Sequence, residues 1–221
     1  MVATWDSERK VTADHILPYV DADNEETPEG VRTALHTLPF ERNIFKLLAN
    51  SPTFMPKFMQ LLGACFSPEK SIPPADWQLA VLLTSRILDA PYEWDVNWPV
   101  AAILPSFQPV DTIKPLILAR DLSNTALFTD RQRLIADFCE QVHGPQNRVS
   151  EKTMLAMRDG GIDASQITEL FLITGIYGTL ARFMTSANID FDEPIPGLED
   201  MLRKTFQKDI ERDEHSRAEK H

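Results

Sequence analysis

The strongest constraint in this chain is a helical spacing of apolar residues that keeps stopping at proline. Ile167, Leu170, Phe171, Thr174, Tyr177, Leu180, Ala181 and Met184 recur at three- and four-residue intervals, the signature of one face of an α-helix. Asp163 and Gln166 ahead of them form a capping pattern. Phe54, Phe58, Leu61 and Cys65 have the same spacing behind Ser51-Pro52, a cap and a proline suited to a first turn. Thr129 and Gln132 precede Leu134, Ile135, Phe138 and Val142, and Pro73-Pro74-Ala75-Asp76 opens a stretch carrying Leu79, Leu82, Leu83 and Ile87. Asp159-Gly160-Gly161 reads as a helix end. Pro39, Pro52, Pro73, Pro105, Pro109 and Pro194 stand at the joins. Alternating strand patterns with tight hairpin turns are missing. The reading predicts an all-α fold of seven or so helices.

Charge narrows the partners. The net charge is −11, and the acids sit at the ends. Residues 1–30 carry eight acids and two bases, while residues 31–150 carry eleven of each. A chain of this balance is poorly suited to gripping phosphate backbones, which takes clustered Lys and Arg. The longest strictly apolar runs, Leu79 to Leu83 and Val100 to Leu104, fall far short of the ~20 residues that span a bilayer. No apolar leader is visible at the start, so a cytosolic setting with Cys65 and Cys139 reduced is expected. No nucleic-acid or membrane partner is expected. Residues 1–35 read as an acidic lead-in arm, 36–193 as the helical domain, and 194–221 as a charged C-terminal helix or tail that frays from about Lys208.

Familiar site motifs are missing. There is no glycine-rich phosphate loop and no His-Glu-x-x-His zinc helix. The two cysteines lie 74 residues apart and read as small buried hydrophobes. Asp190, Asp192 and Glu193 read as an exposed acidic turn. His143, just before Gly144-Pro145, reads as a partner for the negative end of its own helix. No cofactor and no metal are expected.

One stretch is unusual. Residues 86–98 (Arg-Ile-Leu-Asp-Ala-Pro-Tyr-Glu-Trp-Asp-Val-Asn-Trp) hold three aromatics, one Arg and three acids. On a helix Glu93 and Asn97 share a face, and so do Trp94 and Trp98, one position round. Tyr92-Glu93-Trp94, with a helix beginning near Trp77 before it and Ala101-Ala102 after it, resembles the core of the carboxymuconolactone decarboxylase-like family, within the alkylhydroperoxidase D-like superfamily. Leu38-Pro39 through Ser51-Pro52 resembles the family's lead-in helix, and Gly175 to Phe183 its closing helix. The resemblance covers residues 36–193. It implies a helical bundle built on an antiparallel pair around 75–88 and 91–104, and a homo-oligomer (dimer, trimer or hexamer).

The departures define the chemistry that the resemblance leaves. The family's His falls on Asn97 and its Glu on Gln78. The Cys-x-x-Cys of the peroxidase branch falls on Ala90 and Glu93. A cysteine-pair peroxidase needs a thiolate, and an amide cannot titrate near pH 7. The joint replacement of Glu and His by two amides predicts a hydrogen bond between Gln78 and Asn97. Glu93 either faces solvent or is buried with its pKa raised into a usable range. Tyr92 and Tyr177 are candidate donors to an enolate oxygen, or packed aromatics. Arg86 and Arg182 either clamp a substrate carboxylate or pair with Asp89, Asp95 or Glu169. Trp94 and Trp98 would wall the substrate site.

The implied activity is a cofactor-independent, non-redox enzyme on a small cyclic or aromatic organic acid, lactone or polyketide-like metabolite. The reaction would be decarboxylation or a related proton-shift or ring reaction. The alternative is a non-catalytic small-molecule-binding or assembly protein on the same scaffold.

Overall fold

The computed structural model describes residues 15–37 and 40–218. The join at Pro39, the Leu38-Pro39 part of the lead-in resemblance and the first fourteen residues of the acidic arm lie outside them. Among the described residues there are eleven α-helices, one 3-10 turn and no strand, so the fold is all-α.

The described residues form two compact units, those up to Ser67 with 183–196, and 68–182 with those from Gly197 on.

The smaller unit holds α1 (Glu29–Leu35), α2 (Asn43–Leu48) and α3 (Met55–Cys65). Val31, Ala34, Ala49 and Met55 form its core, with Phe45, Leu48 and Met59 packed against them. Val31 and Ala34 belong to the segment read as an arm; both are buried. The face of α3 is rotated from the expected one. Met55, Leu62 and Cys65 are buried, whereas Phe54 is 73% and Leu61 48% exposed. Phe54 is the residue before the helix, and its exposure removes it from the stripe.

The acidic turn at 190–193 is corrected at its two aspartates, while Glu193 is exposed as expected. Asp190 and Asp192 are buried. Asp190 accepts from the Tyr19 hydroxyl at 3.1 Å and pairs with His15 at 2.9 Å. Asp192 pairs with Arg42 at 2.9 Å and accepts from the Asn43 amide, at the start of α2, at 2.7 Å. A carboxylate meeting a helix's first free amide satisfies a donor that has no partner within the helix.

The larger unit is built around α4 (Pro74–Ile87), buried from Pro74 to Ser85 on every face. Prolines at the first helical position start both α4 and its partner α5 (Pro91–Ala102), where the missing N–H costs nothing. Between them Asp89 takes a left-handed φ of 52°, and the Ala90 amide donates back to the Ser85 carbonyl at 2.9 Å. This 6→1 closure turns the chain sharply and sends α5 back along α4.

The unit continues with α6 (Val110–Ala119), α7 (Asp130–Val142), α8 (Glu151–Asp159) and α9 (Ala164–Ala187), the last up to Arg182. The Thr129–Gln132 capping box is formed on α7. The Gln166 amide donates to Asp163 at 2.9 Å as α9 begins. Gly161, at φ 80°, occupies the left-handed position after α8 that a Cβ would disfavour. α9 is long and apolar enough to cross a membrane by length and composition, but half of that stretch is buried inside the protein.

The C-terminal segment, expected as a charged helix or tail that frays from about Lys208, forms two helices that pack. α10 (Leu198–Thr205) and α11 (Gln207–Ala218) belong to the larger unit. Asp209 pairs with buried Lys70 at 3.1 Å, and Arg212 donates to the Lys70 and Ser71 carbonyls at 2.9 Å. Asp213 accepts from the Ser106 amide and hydroxyl. The charges that suggested a solvated tail are the ones that hold it.

Candidate functional site

The site lies on the α4–α5 pair. Ser85 and Ala90 are joined across the turn, so depth along the pair counts from them. Gln78 stands seven residues before Ser85, and Asn97 seven residues after Ala90. At 1.5 Å per residue both lie about 10 Å from the turn, at one level. Along α4, Asp76, Ala80 and Thr84 form the stripe that meets α7, through Arg131, Cys139 and His143. Gln78 is about 160° round the helix from the centre of that stripe, facing away from α7.

Glu93 is 1% exposed, Asn97 5% and Gln78 0%. The Asn97 amide nitrogen donates to the Glu93 backbone carbonyl at 2.8 Å and to its Oε1 at 3.0 Å. The backbone acceptor fixes which end of the Asn97 amide is nitrogen, because a carbonyl can only accept. Glu93 Oε2 makes no hydrogen bond, and neither do Nε2 or Oε1 of Gln78. The expected Gln78–Asn97 bond is therefore not formed. Asn97 is taken by its own helix through the i, i+4 relation to Glu93. Three buried polar atoms without partners, at roughly 1–3 kcal/mol each, are a costly arrangement for a region that only packs.

Burial pushes the Glu93 carboxyl up to about 8, against the smaller opposing effect of the Asn97 bond. At neutral pH Glu93 is therefore mainly the protonated acid. Since Oε1 accepts from Asn97, the proton belongs on Oε2, the oxygen with no partner.

The remaining candidates divide. Trp94 and Trp98 stack at 5.5 Å between centroids, 5° from parallel. Trp98 then meets the edge of Phe107 at 6.3 Å and the Lys114 ammonium at 5.3 Å. Tyr177 has its ring 6.5 Å from Trp77. Trp77 in turn lies under the Lys70 ammonium at 5.4 Å. Tyr92 is buried on α5. Arg86 donates to the Leu118 carbonyl at 2.7 Å and lies 3.8 Å from Asp89. Arg182 donates to the Gly178 carbonyl at 3.1 Å. Both arginines thus make backbone bonds in their own surroundings.

A second polar contact was missed in reading the sequence. His143 reaches across to Thr84, Nε2 to Oγ1 3.0 Å, where a role at the end of its own helix had been expected. Burial first, then the charge of Arg182, lowers its pKa to about 4, so the ring is neutral near pH 7. The signal was present in the four-residue spacing of Asp76, Ala80 and Thr84, three small or polar side chains on one face of an apolar helix. Cys65 and Cys139 are buried, and burial pushes the Cys139 thiol far above its usual range, away from reactive thiolate chemistry. Among the described residues no group of three or more His, Cys, Asp or Glu could hold a metal ion.

No family model matches this sequence, and no curated protein matches it. Solved structures do. An uncharacterized peroxidase-related protein from Silicibacter sp. superposes with a TM-score of 0.66 at 15% identity, over 87% of this chain and 97% of that one. An alkylhydroperoxidase AhpD core structure from Ralstonia eutropha, also an uncharacterized peroxidase-related protein, gives 0.61 at 20% identity over 86% and 96%. At such identities the likeness shows the fold: this chain has the alkylhydroperoxidase D-like all-helical fold.

Proposed function

We propose that the protein is a cofactor-independent, non-redox enzyme that moves a proton at Glu93. The substrate class is a small cyclic or aromatic organic acid, lactone or polyketide-like metabolite, and decarboxylation or a related proton shift is the reaction. The carrying observation is the Glu93 carboxyl, buried and raised to about 8, with Oε2 making no hydrogen bond. A group held protonated at working pH and free to release that proton is what a general acid requires.

In a decarboxylation the bond to the carboxylate carbon breaks, and carbon dioxide leaves. Its electron pair passes into a neighbouring carbonyl to give an enolate. Glu93 Oε2–H then protonates the carbon, and the carboxylate left behind recovers a proton from water. The chain places Ala90 and Glu93 where the peroxidase branch of the resembled family has its cysteine pair, which supports chemistry without thiols. The resemblance also supports a homo-oligomer.

The second reading, a binding protein without turnover, is favoured by one observation. Arg86 and Arg182, the groups expected to clamp a carboxylate, bond to backbone carbonyls.

The test is to incubate the protein with an extract of its source organism and with a panel of β-keto acids and lactones, following mass changes. The enzyme reading expects a substrate that loses carbon dioxide or shifts a proton. Turnover should be abolished in Glu93→Gln and fall as pH rises above about 8, where the acid ionises. Ligand binding without turnover, or turnover unchanged in Glu93→Gln, would establish the second reading or another site.

A further inference from the structure

Thr84 and Ser85 are neighbours on α4 whose hydroxyls are satisfied in different ways. The Ser85 hydroxyl donates back to the Val81 carbonyl of its own helix at 2.8 Å. The Thr84 hydroxyl does not turn back. It is fully buried, and among the described residues its partner is His143 Nε2 at 3.0 Å. A buried hydroxyl hydrogen needs an acceptor, so Thr84 Oγ1–H donates to Nε2. That bond fixes the tautomer: in the neutral ring the proton sits on the other nitrogen, Nδ1.

Nδ1–H has no acceptor among the described residues. What stands beside it is a cation. A methyl placed on Gly178 of α9 would lie 3.0 Å from His143 Cε1, 3.1 Å from Arg182 Nη1 and 3.7 Å from His143 Nδ1. Imidazole and guanidinium therefore converge over this glycine. Arg182 is exposed and donates to the Gly178 carbonyl, and it has no carboxylate partner among the described residues. The acids that could have served are engaged elsewhere: Glu169 accepts from the Ser71 and Ile72 amides, and Glu140 of α7 pairs with Arg120 at 3.1 Å. The one charge that acts on His143 is that of Arg182. In a chain of net charge −11, a guanidinium without an acid beside an N–H without an acceptor is a place prepared for a negative oxygen.

We propose that Arg182 and His143 Nδ1–H, converging over Gly178, bind the carboxylate of a small ligand. One carboxylate oxygen accepts from Nδ1–H and the other from the guanidinium, whose five N–H groups leave donors to spare beyond the Gly178 bond. One fixed positive charge beside a neutral N–H matches a singly charged anion. Thr84 is a positioning residue, since it holds the ring in the tautomer that donates. The site stands on the side of α4 that meets α7, away from Gln78, and it does not depend on the reading of Glu93 as an acid.

Acetate and acetamide test it, being nearly equal in shape and different in charge. The full chain, labelled with nitrogen-15 at histidine, is followed by NMR at pH 7 and low salt. His143 is expected to show its proton on Nδ1 and a bare Nε2. Acetate should shift the Nδ1 resonance in a saturable way, and acetamide should leave it in place. Arg182→Met, at an exposed position, should weaken acetate binding at least about tenfold. It should also raise the titration of His143 above about 4, because the neighbouring cation is gone. Arg182→Lys keeps the charge without the planar fork and should retain part of the affinity. Gly178→Ala should lose the acetate response, as its methyl crowds both donors. A proton on Nε2, an acetamide response equal to that of acetate, inorganic phosphate binding more tightly than acetate, no response at tens of millimolar acetate, or a response unchanged in Arg182→Met would each overturn the inference.

Discussion

Replacing Glu93 by glutamine should make the protein more resistant to alkaline conditions, by an amount that the structure sets. In the unfolded chain the carboxyl titrates near its ordinary value of 4.5; in the folded protein it is raised to about 8. Between those values the unfolded state gives up the proton and the folded state keeps it. The stability contributed by the neutral group is whole below about 4.5 and is lost as pH rises toward 8. Each pH unit in that window costs about 1.36 kcal/mol. Over the full window the loss is roughly 4–5 kcal/mol, a large share of the ~5–15 kcal/mol that a domain has in total. Glutamine keeps Oε1 for the Asn97 bond and carries no charge, so Glu93→Gln abolishes the slope. Urea unfolding of both proteins from pH 5 to pH 8.5 reads the difference directly. The variant should match the parent near pH 5 and exceed it by several kcal/mol near pH 8. A difference that stays constant across that range would refute the reasoning, because it would mean that Glu93 ionises alike in both states.

Two further outcomes follow from other parts of the fold. Lys70→Met leaves Asp209 buried without its cation and should cost about 3–5 kcal/mol in urea unfolding, with Asp209→Asn in the same chain recovering part of it; an unchanged midpoint would show that α11 is not held there. His143, with its pKa lowered to about 4, is neutral in the folded state while an unfolded histidine charges near 6.5. Its contribution is therefore present above 6.5 and lost as pH falls toward 4, and His143→Gln should flatten the acid limb of the unfolding curve.

Much of the larger unit was legible in the sequence because its signals are local. Pro73-Pro74, the Thr129–Gln132 box and Asp163 with Gln166 each mark a helix start by chemistry confined to one turn. The i, i+4 relation placed Asn97 on the face of Glu93, while the burial of Glu93 was left open by the sequence and is set by the packing of α5. The residues that misled are those whose partners lie far along the chain. Asp192 read as exposed because nothing near it in sequence shows that it meets Arg42 and the start of α2. Asp209 and Asp213 lie in the segment read as a charged helix or tail, yet they meet Lys70 and Ser106, more than a hundred residues away. Gln78 was expected to bond Asn97 across the pair, but the competing partner one turn away on the same helix costs less entropy to reach.

The central claim is that Glu93 is an acid, not a carboxylate, at neutral pH. It is tested most directly by following the side-chain carboxyl carbon of Glu93 by NMR in protein labelled with carbon-13 at glutamate, from pH 4 to pH 9.5. A single transition centred near 8, absent in Glu93→Gln, is the predicted result; a transition near 4.5 would contradict the account at its root.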